Sequence, residues 1–362
     1  PAGEGRRCRI GGVTAPAAAP PSPLRQPQVT RPGSVRAAVL VGALCVLAVA
    51  ILLSLSLGSK DIGLAQTWAL LLSPDGSSES TVLHELRVPR TILGVVVGAA
   101  LGVAGGLMQS LTRNPLADPG ILGVNAGASV AVVLVVALTG VSGLGFYLWF
   151  AFAGAALAST AVYLLGTTHH QVATPTRLAL AGVAISAALQ ALTQTIILAD
   201  QTAYNEFRFW VSGSLEGRLY PVLWTILPFV AVGLVAALLL APALNALALG
   251  TETGKALGVR VQRTRVGTMA AITLLCGAAT AAVGPIGFVG LAVPFAARAL
   301  VGSDQRWVTI CSAIFGPAWL LGADVIARVV VRPEEAPVGV IAALIGAPVF
   351  VAIVRRRKIA AL

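Results

Sequence analysis

Ionisable side chains are scarce in this chain. Only 11% of its 362 residues are Asp, Glu, Lys or Arg, where a soluble domain carries roughly 25%. That deficit excludes a soluble globular enzyme or binding module. Histidine is nearly absent, with three in the chain, and the four cysteines, Cys8, Cys45, Cys276 and Cys311, lie far apart. Three of them sit inside apolar runs and behave as small hydrophobes, so neither a disulfide framework nor a Cys/His metal site fits. No Ser/His/Asp arrangement and no pair of carboxylates is visible, which leaves covalent and acid–base catalysis without residues to carry them. His169 and His170 are adjacent in a loop, and neighbours in sequence do not share a helix face, so they read as solvated side chains and not as metal ligands. The formal net charge of +11 would suit nucleic acid, but the basic residues are scattered between apolar runs. The excess reads as membrane topology, with no nucleic-acid partner.

What is abundant is apolar: 57% of residues are hydrophobic and the mean hydropathy is +0.87. A spanning helix needs about 20 apolar residues, and runs of that kind lie near 37–57, 91–109, 118–138, 146–166, 177–198, 221–241, 265–284, 288–301, 308–328 and 337–354. The fold class expected is an all-α membrane protein of ten transmembrane helices. An even number puts both termini on one side. Most of the Lys and Arg, including Arg113, Arg177, Lys255, Arg260, Arg263, Arg265 and the run from Arg355 to Lys358, then share that side, which makes it the cytoplasm. Residues 1–36 are rich in Pro, Ala and Arg without apolar periodicity and read as a disordered cytoplasmic tail, with a ten-helix membrane domain over 37–358. The first apolar run is too long for a signal-peptide core and lacks a small-residue cleavage site, so it reads as an anchor.

Against this background a few polar features stand out. Gln190 and Gln194, four apart with Thr193 between them, present two amides on one face of the fifth span; they either bond to neighbouring helices or line an aqueous path. Gly94, Gly98 and Gly102 open one face of the second span to close approach of another backbone, within this bundle or from another subunit. Asp324 stands one turn before Arg328, a spacing that favours local pairing. Residues 250–255, Gly-Thr-Glu-Thr-Gly-Lys, resemble a phosphate-binding loop. They have three residues instead of four between the glycines and Ala256 after the lysine, so nucleotide must be handled elsewhere. The stretch 112–120, "TRNPLADPG", breaks two apolar runs. Pro115 and Pro119 stop the second helix, and Asp118 is placed to cap the third with Pro119 at its first position. Residues 119–124 also echo 285–291 on the opposite side of the predicted membrane, as in transporters built from inverted repeats.

The stretches "LRVPRTILGVVVGAALGVAGGLMQSLTRNPLADPGILGVNAGA" and "GPIGFVGLAVPFAARALVGSDQRW", with "GADVIARVVVRPEEAPVGVIAALIGAPVF", resemble the membrane permease subunits of ABC importers for iron siderophores, haem and cobalamin. The resemblance covers roughly 37–358. It implies a ten-span permease with an inverted repeat in the bacterial plasma (inner) membrane. The permease pairs with a second, identical or different one, with two cytoplasmic ATPase subunits below and an external substrate-binding protein above. No cofactor is implied in this chain, since ATP and Mg belong to the partner ATPase. The resemblance further implies an ATPase-coupling segment over 247–259, with Leu249, Gly250, Glu252, Leu257 and Gly258 as contacts. Binding-protein docking falls to Arg87, Arg90 and Arg328, and a cytoplasmic gate to Asn114 and Leu116 with Pro175 and Thr176. Some relatives have a small hydroxyl residue in place of Pro175. The cargo expected is an intact ferric siderophore, with haem or cobalamin as the alternative and an ion-coupled secondary transporter as the rival class.

Overall fold

A computed structural model describes residues 31–58, 63–167 and 175–356. The tail over 1–30, Lys60, His169, His170 and the basic residues Arg357 and Lys358 lie outside the described residues. The chain forms α1 (Gly33–Ser56), α2 (Leu64–Leu72), α3 (Ser78–Thr81), α4 (Val88–Thr112), α5 (Val124–Thr139), α6 (Leu144–Gly166), α7 (Pro175–Ala199), α8 (Gln201–Val211), α9 (Tyr220–Ala248), α10 (Thr251–Ala256), α11 (Val261–Val283), α12 (Val289–Val301), α13 (Gln305–Val330) and α14 (Val338–Arg356). Each of the ten apolar runs holds one long helix, the third only from Val124 onward. Among the described residues seven helices are long and apolar enough to cross a membrane, and three, at Val124–Thr139, Val289–Val301 and Val338–Val351, are shorter. Among the described residues α2, α3 and α8 went unforeseen, because each is short or amphipathic and leaves no long apolar run, whereas α10 falls within the 247–259 segment already singled out.

The α4 helix is the spine, wrapped by α9, α11, α12 and α13. Its glycines explain why. A Cβ on Gly98 would sit 2.6 Å from the Pro317 backbone, and one on Gly102 would sit 2.6 Å from the Ser312 carbonyl. Only hydrogen fits at these points, so α4 and α13 meet backbone to backbone, as helices do where lipid offers no hydrophobic drive and contact must come from close packing. The glycine stripe is therefore spent inside this chain. By contrast α1 and α7 expose most of their apolar surface.

Two irregular segments interrupt the bundle. The α4 helix ends at Arg113 in the left-handed region (φ 51°), and Asp118 then caps a single turn, Pro119–Leu122, by accepting a 2.8 Å hydrogen bond from the Gly120 N–H. The cap expected at Asp118 forms, but it serves this turn; α5 begins only at Val124, after Gly123 turns the chain at φ 74°. On the far side, Gly284 to Phe288 lead into α12, whose 13 residues make a helix of about 20 Å. Backbone without helix at this depth must be covered. Ser214 N–H donates to Val283 O, Gly339 N–H donates to Gly213 O, and a Cβ on Gly290 would sit 3.0 Å from Pro119 Cδ. The two echoing segments thus meet inside the protein.

Candidate functional site

The helix ends sort the polar residues into two groups. At one end, Arg113 donates to the Leu247 carbonyl, Asn245 donates to Asp304 (2.9 Å) and accepts from Gln305 N–H (2.8 Å), and Arg36 lies 3.7 Å from Asp304 and over the Trp307 ring. Arg298 donates to Ser110 Oγ (2.8 Å), Gly106 O and Gln305 Oε1 (both 3.1 Å). These bonds tie α1, α4, α9, α12 and α13 together.

Asn114 and Leu116 are exposed at this end, and Asn114 Oδ1 accepts from Leu116 N–H at 2.9 Å. That local turn holds both side chains outward. The α7 helix approaches from the same end: its Gly182 lies against Ile121, and Thr176, exposed, stands six residues earlier, about 9 Å along the axis. Pro175 is the first residue of α7.

The α10 helix also projects here. Gly250 (φ 121°) and Gly258 (φ 82°) bracket it with backbone angles that favour glycine, and Gly254 packs on Leu247. Leu249 and Leu257 remain 42% and 62% exposed, and Glu252 pairs only with Lys255, 2.9 Å away on the surface. The short helix thus stands at a polar end with an exposed leucine near each of its ends.

Midway along the bundle, Gln190, Thr193 and Gln194 of α7 line a cavity of about 220 Å³. Its other walls are Asn125, Ala126 and Ser129 of α5, Phe207 and Val211 of α8, and Pro285. The two glutamines are exposed to it, but Thr193 is buried and its hydroxyl is spent on the Leu189 carbonyl (2.9 Å). Asn125 accepts from Thr280 Oγ1 at 3.1 Å, which leaves its amide N–H₂ for the cavity. Pattern reading missed Asn125 and Ser129 because they sit in an apolar run on another helix. A second, apolar cavity of about 600 Å³ shares Val211 and Pro285 and is otherwise bounded by the α12 entry and α14, with Phe288, Val340, Leu344 and Pro348 among its walls. No ionisable side chain lines either cavity. Neutral amides and hydroxyls can hold a large polar molecule by hydrogen bonds without trapping it by charge. Among the described residues no three His, Cys, Asp or Glu stand together as metal ligands.

At the opposite end, Arg87, Arg90 and Arg328 converge on one cavity of about 370 Å³, together with Glu216, Arg218 and Glu335. Arg87 is buried and donates to the carbonyls of Leu55 (2.8 Å) and Ser56 (2.7 Å), which closes the C-terminal end of α1 onto the segment just before α4. Arg90 grips Asp324 with Nη2 (2.7 Å) and Nε, and Glu335 with Nη1 (2.6 Å). Arg328 pairs with the same Asp324 at 2.8 Å, the local pairing its spacing suggested, and donates to Ser54 O (2.9 Å) and Leu57 O (3.0 Å). Two buried guanidinium groups sharing one fully buried carboxylate need the second carboxylate and the carbonyls for balance. Arg218 and Glu335 escaped sequence reading because each shares a short loop with other charges, Glu216 in one and Arg332 with Glu334 in the other, and no pattern in the loop singles it out.

The model of the FecCD transport family matches residues 46–356. The chain is 48% identical to the ferric enterobactin transport system permease protein FepD of Escherichia coli K12, over 89% of this chain and 96% of that one. It is 40% identical to the Fe(3+)-citrate import system permease protein YfmD of Bacillus subtilis, over 91% and 97%, and 35% identical to the hemin transport system permease protein HmuU of Yersinia pestis, over 90% and 98%. Among solved structures, an inward-facing metal-chelate type ABC transporter aligns with a TM-score of 0.75 at 26% identity, over 89% of this chain and all of that one.

Proposed function

The chain belongs to the FecCD transport family and is a permease subunit of an ABC importer, and from that premise we propose that it carries an intact ferric siderophore across the bacterial inner membrane. It does so as a ten-span protein with both termini in the cytoplasm, paired with a second permease. The observation that carries the reading is the amide-lined cavity at mid-bundle. Asn125, Ser129, Gln190 and Gln194 offer hydrogen bonds and no formal charge, which suits a bulky polar chelate that must both enter and leave. The relative named for ferric enterobactin, 48% identical, supports the siderophore. A haem or cobalamin cargo is the second reading, favoured by the hemin permease among the relatives. An ion-coupled transporter would need ionisable groups on the path, and none lines these cavities.

In this mechanism an external binding protein delivers the cargo over Arg87, Arg90 and Arg328, with Arg90 the most exposed to an incoming carboxylate. ATP and magnesium are handled by two cytoplasmic ATPase subunits gripping Leu249, Gly250, Glu252, Leu257 and Gly258 on the 247–259 segment. Their motion tilts the spans, and Asn114 and Leu116 part from Pro175 and Thr176 to open the inner mouth. The permease supplies shape and coupling and breaks no bond of the cargo. Proteoliposomes holding the permease, its ATPase and the binding protein should take up radiolabelled ferric siderophore in preference to haem and cobalamin. Equal or preferential uptake of haem or cobalamin would overturn the cargo assignment.

A further inference from the structure

The two carboxylates on Arg90 are not equivalent. Asp324 has a fully buried side chain and holds Arg90 and Arg328 at once. Glu335 touches Arg90 through one oxygen, its side chain is 15% exposed at the cavity wall, and it comes from the link over 331–337 between α13 and α14. Four arginines, Arg87, Arg90, Arg218 and Arg328, border this cavity against Glu216, Glu335 and the Asp324 behind them. Withdrawing Glu335 alone would leave Arg90 with one shared counter-ion, a costly state for a cation this deep. Replacing it with another carboxylate would not.

We propose that Glu335 is a resident stand-in for an acidic side chain of the external binding protein, and that docking exchanges one carboxylate for the other on Arg90. This rests on the docking reading above. The exchange keeps the charge count on Arg90 constant, so the incoming group meets a site already shaped for a carboxylate. It also removes one of the ties on the link over 331–337 and leaves the 3.1 Å bond from Ala336 N–H to Ala327 O. Three residues beyond Ala336, Gly339 bonds to Gly213 O and borders the apolar cavity. Docking is thereby linked through α14 to the wall of the path.

The test measures equilibrium binding of the external protein that supports uptake through this permease. The permease is held with its ATPase in nanodiscs, and binding is read by biolayer interferometry. Glu335→Gln removes the competitor and should tighten binding about tenfold, which corresponds to about 1.4 kcal/mol. Glu335→Asp keeps the charge on a shorter arm and should fall between it and the native chain. Unchanged or weaker binding in Glu335→Gln overturns the exchange. Arg90→Gln separates the two ideas: if it weakens binding while Glu335→Gln fails to strengthen it, docking stands and the exchange falls. If Arg90→Gln leaves binding unaltered, the docking reading fails and takes the exchange with it.

Discussion

At the scale of single residues, the strongest energetic demand falls on Asp324. It is a fully buried partner shared by Arg90 and Arg328, and removing one member of a buried ionic cluster typically costs about 3 to 5 kcal/mol because the opposite charges stay behind. Asp324→Ala should accordingly lower the thermal midpoint of the detergent-solubilised protein sharply, whereas Gln190→Leu, at an exposed position on the cavity, should leave that midpoint within about 0.5 kcal/mol of native stability. The same Gln190→Leu should slow uptake severalfold, since it removes an amide from the cavity wall. Uptake at the native rate would remove Gln190 from the path. The pairing of Asp324 with Arg328 was legible from their spacing of four; the grip of Arg90, 234 positions away, was not.

At the scale of elements, the contact between α4 and α13 depends on the absence of side chains. Gly98→Leu drives a branched chain into the Pro317 backbone, where no rotamer escapes, and should cost about 3 kcal/mol or more. Gly42, with nothing near its missing Cβ on the exposed α1, should accept alanine without loss. Size-exclusion profiles of the two variants check the contrast. The α10 helix makes the opposite prediction: Leu257→Asp changes a side chain that is largely exposed, so the permease should fold normally yet lose its co-purifying ATPase. Retention of the ATPase at native stoichiometry would dismiss Leu257 as a coupling contact. Periodicity revealed the glycine stripe but not its partner, because a face bare of side chains suits any close-packed neighbour.

At the scale of the whole molecule, polar residues divide between two ends, one built on Arg36, Asn245 and Asp304 and the other on Arg87, Arg90 and Asp324. The proposed orientation puts the first in the cytoplasm. In a background with Cys8, Cys45, Cys276 and Cys311 changed to Ala, Glu79→Cys should react with a membrane-impermeant maleimide in intact spheroplasts, and Glu252→Cys only after permeabilisation. The reverse pattern would invert the topology. The ten apolar runs were legible because hydrocarbon forces every backbone polar group into helices and punishes charge, so composition alone marks where the chain enters lipid. The short helices α2 and α8 were not, since a short or amphipathic segment leaves a weaker pattern.

Read as a string, the chain determined its solvent, its ten helical segments, the break at Pro115 and Pro119, and the capping role of Asp118, all of which follow from local backbone chemistry and hydropathy. Tertiary structure alone decided that the glycines of α4 face α13, that Asn125 and Ser129 join Gln190 and Gln194 around one cavity, and that Arg87, Arg90 and Arg328 bend onto carbonyls and carboxylates of the protein itself. The physical reason is the same in each case. Local patterning states which surfaces must be buried and which polar groups must be satisfied, but the partner that satisfies them is fixed only when distant helices pack together.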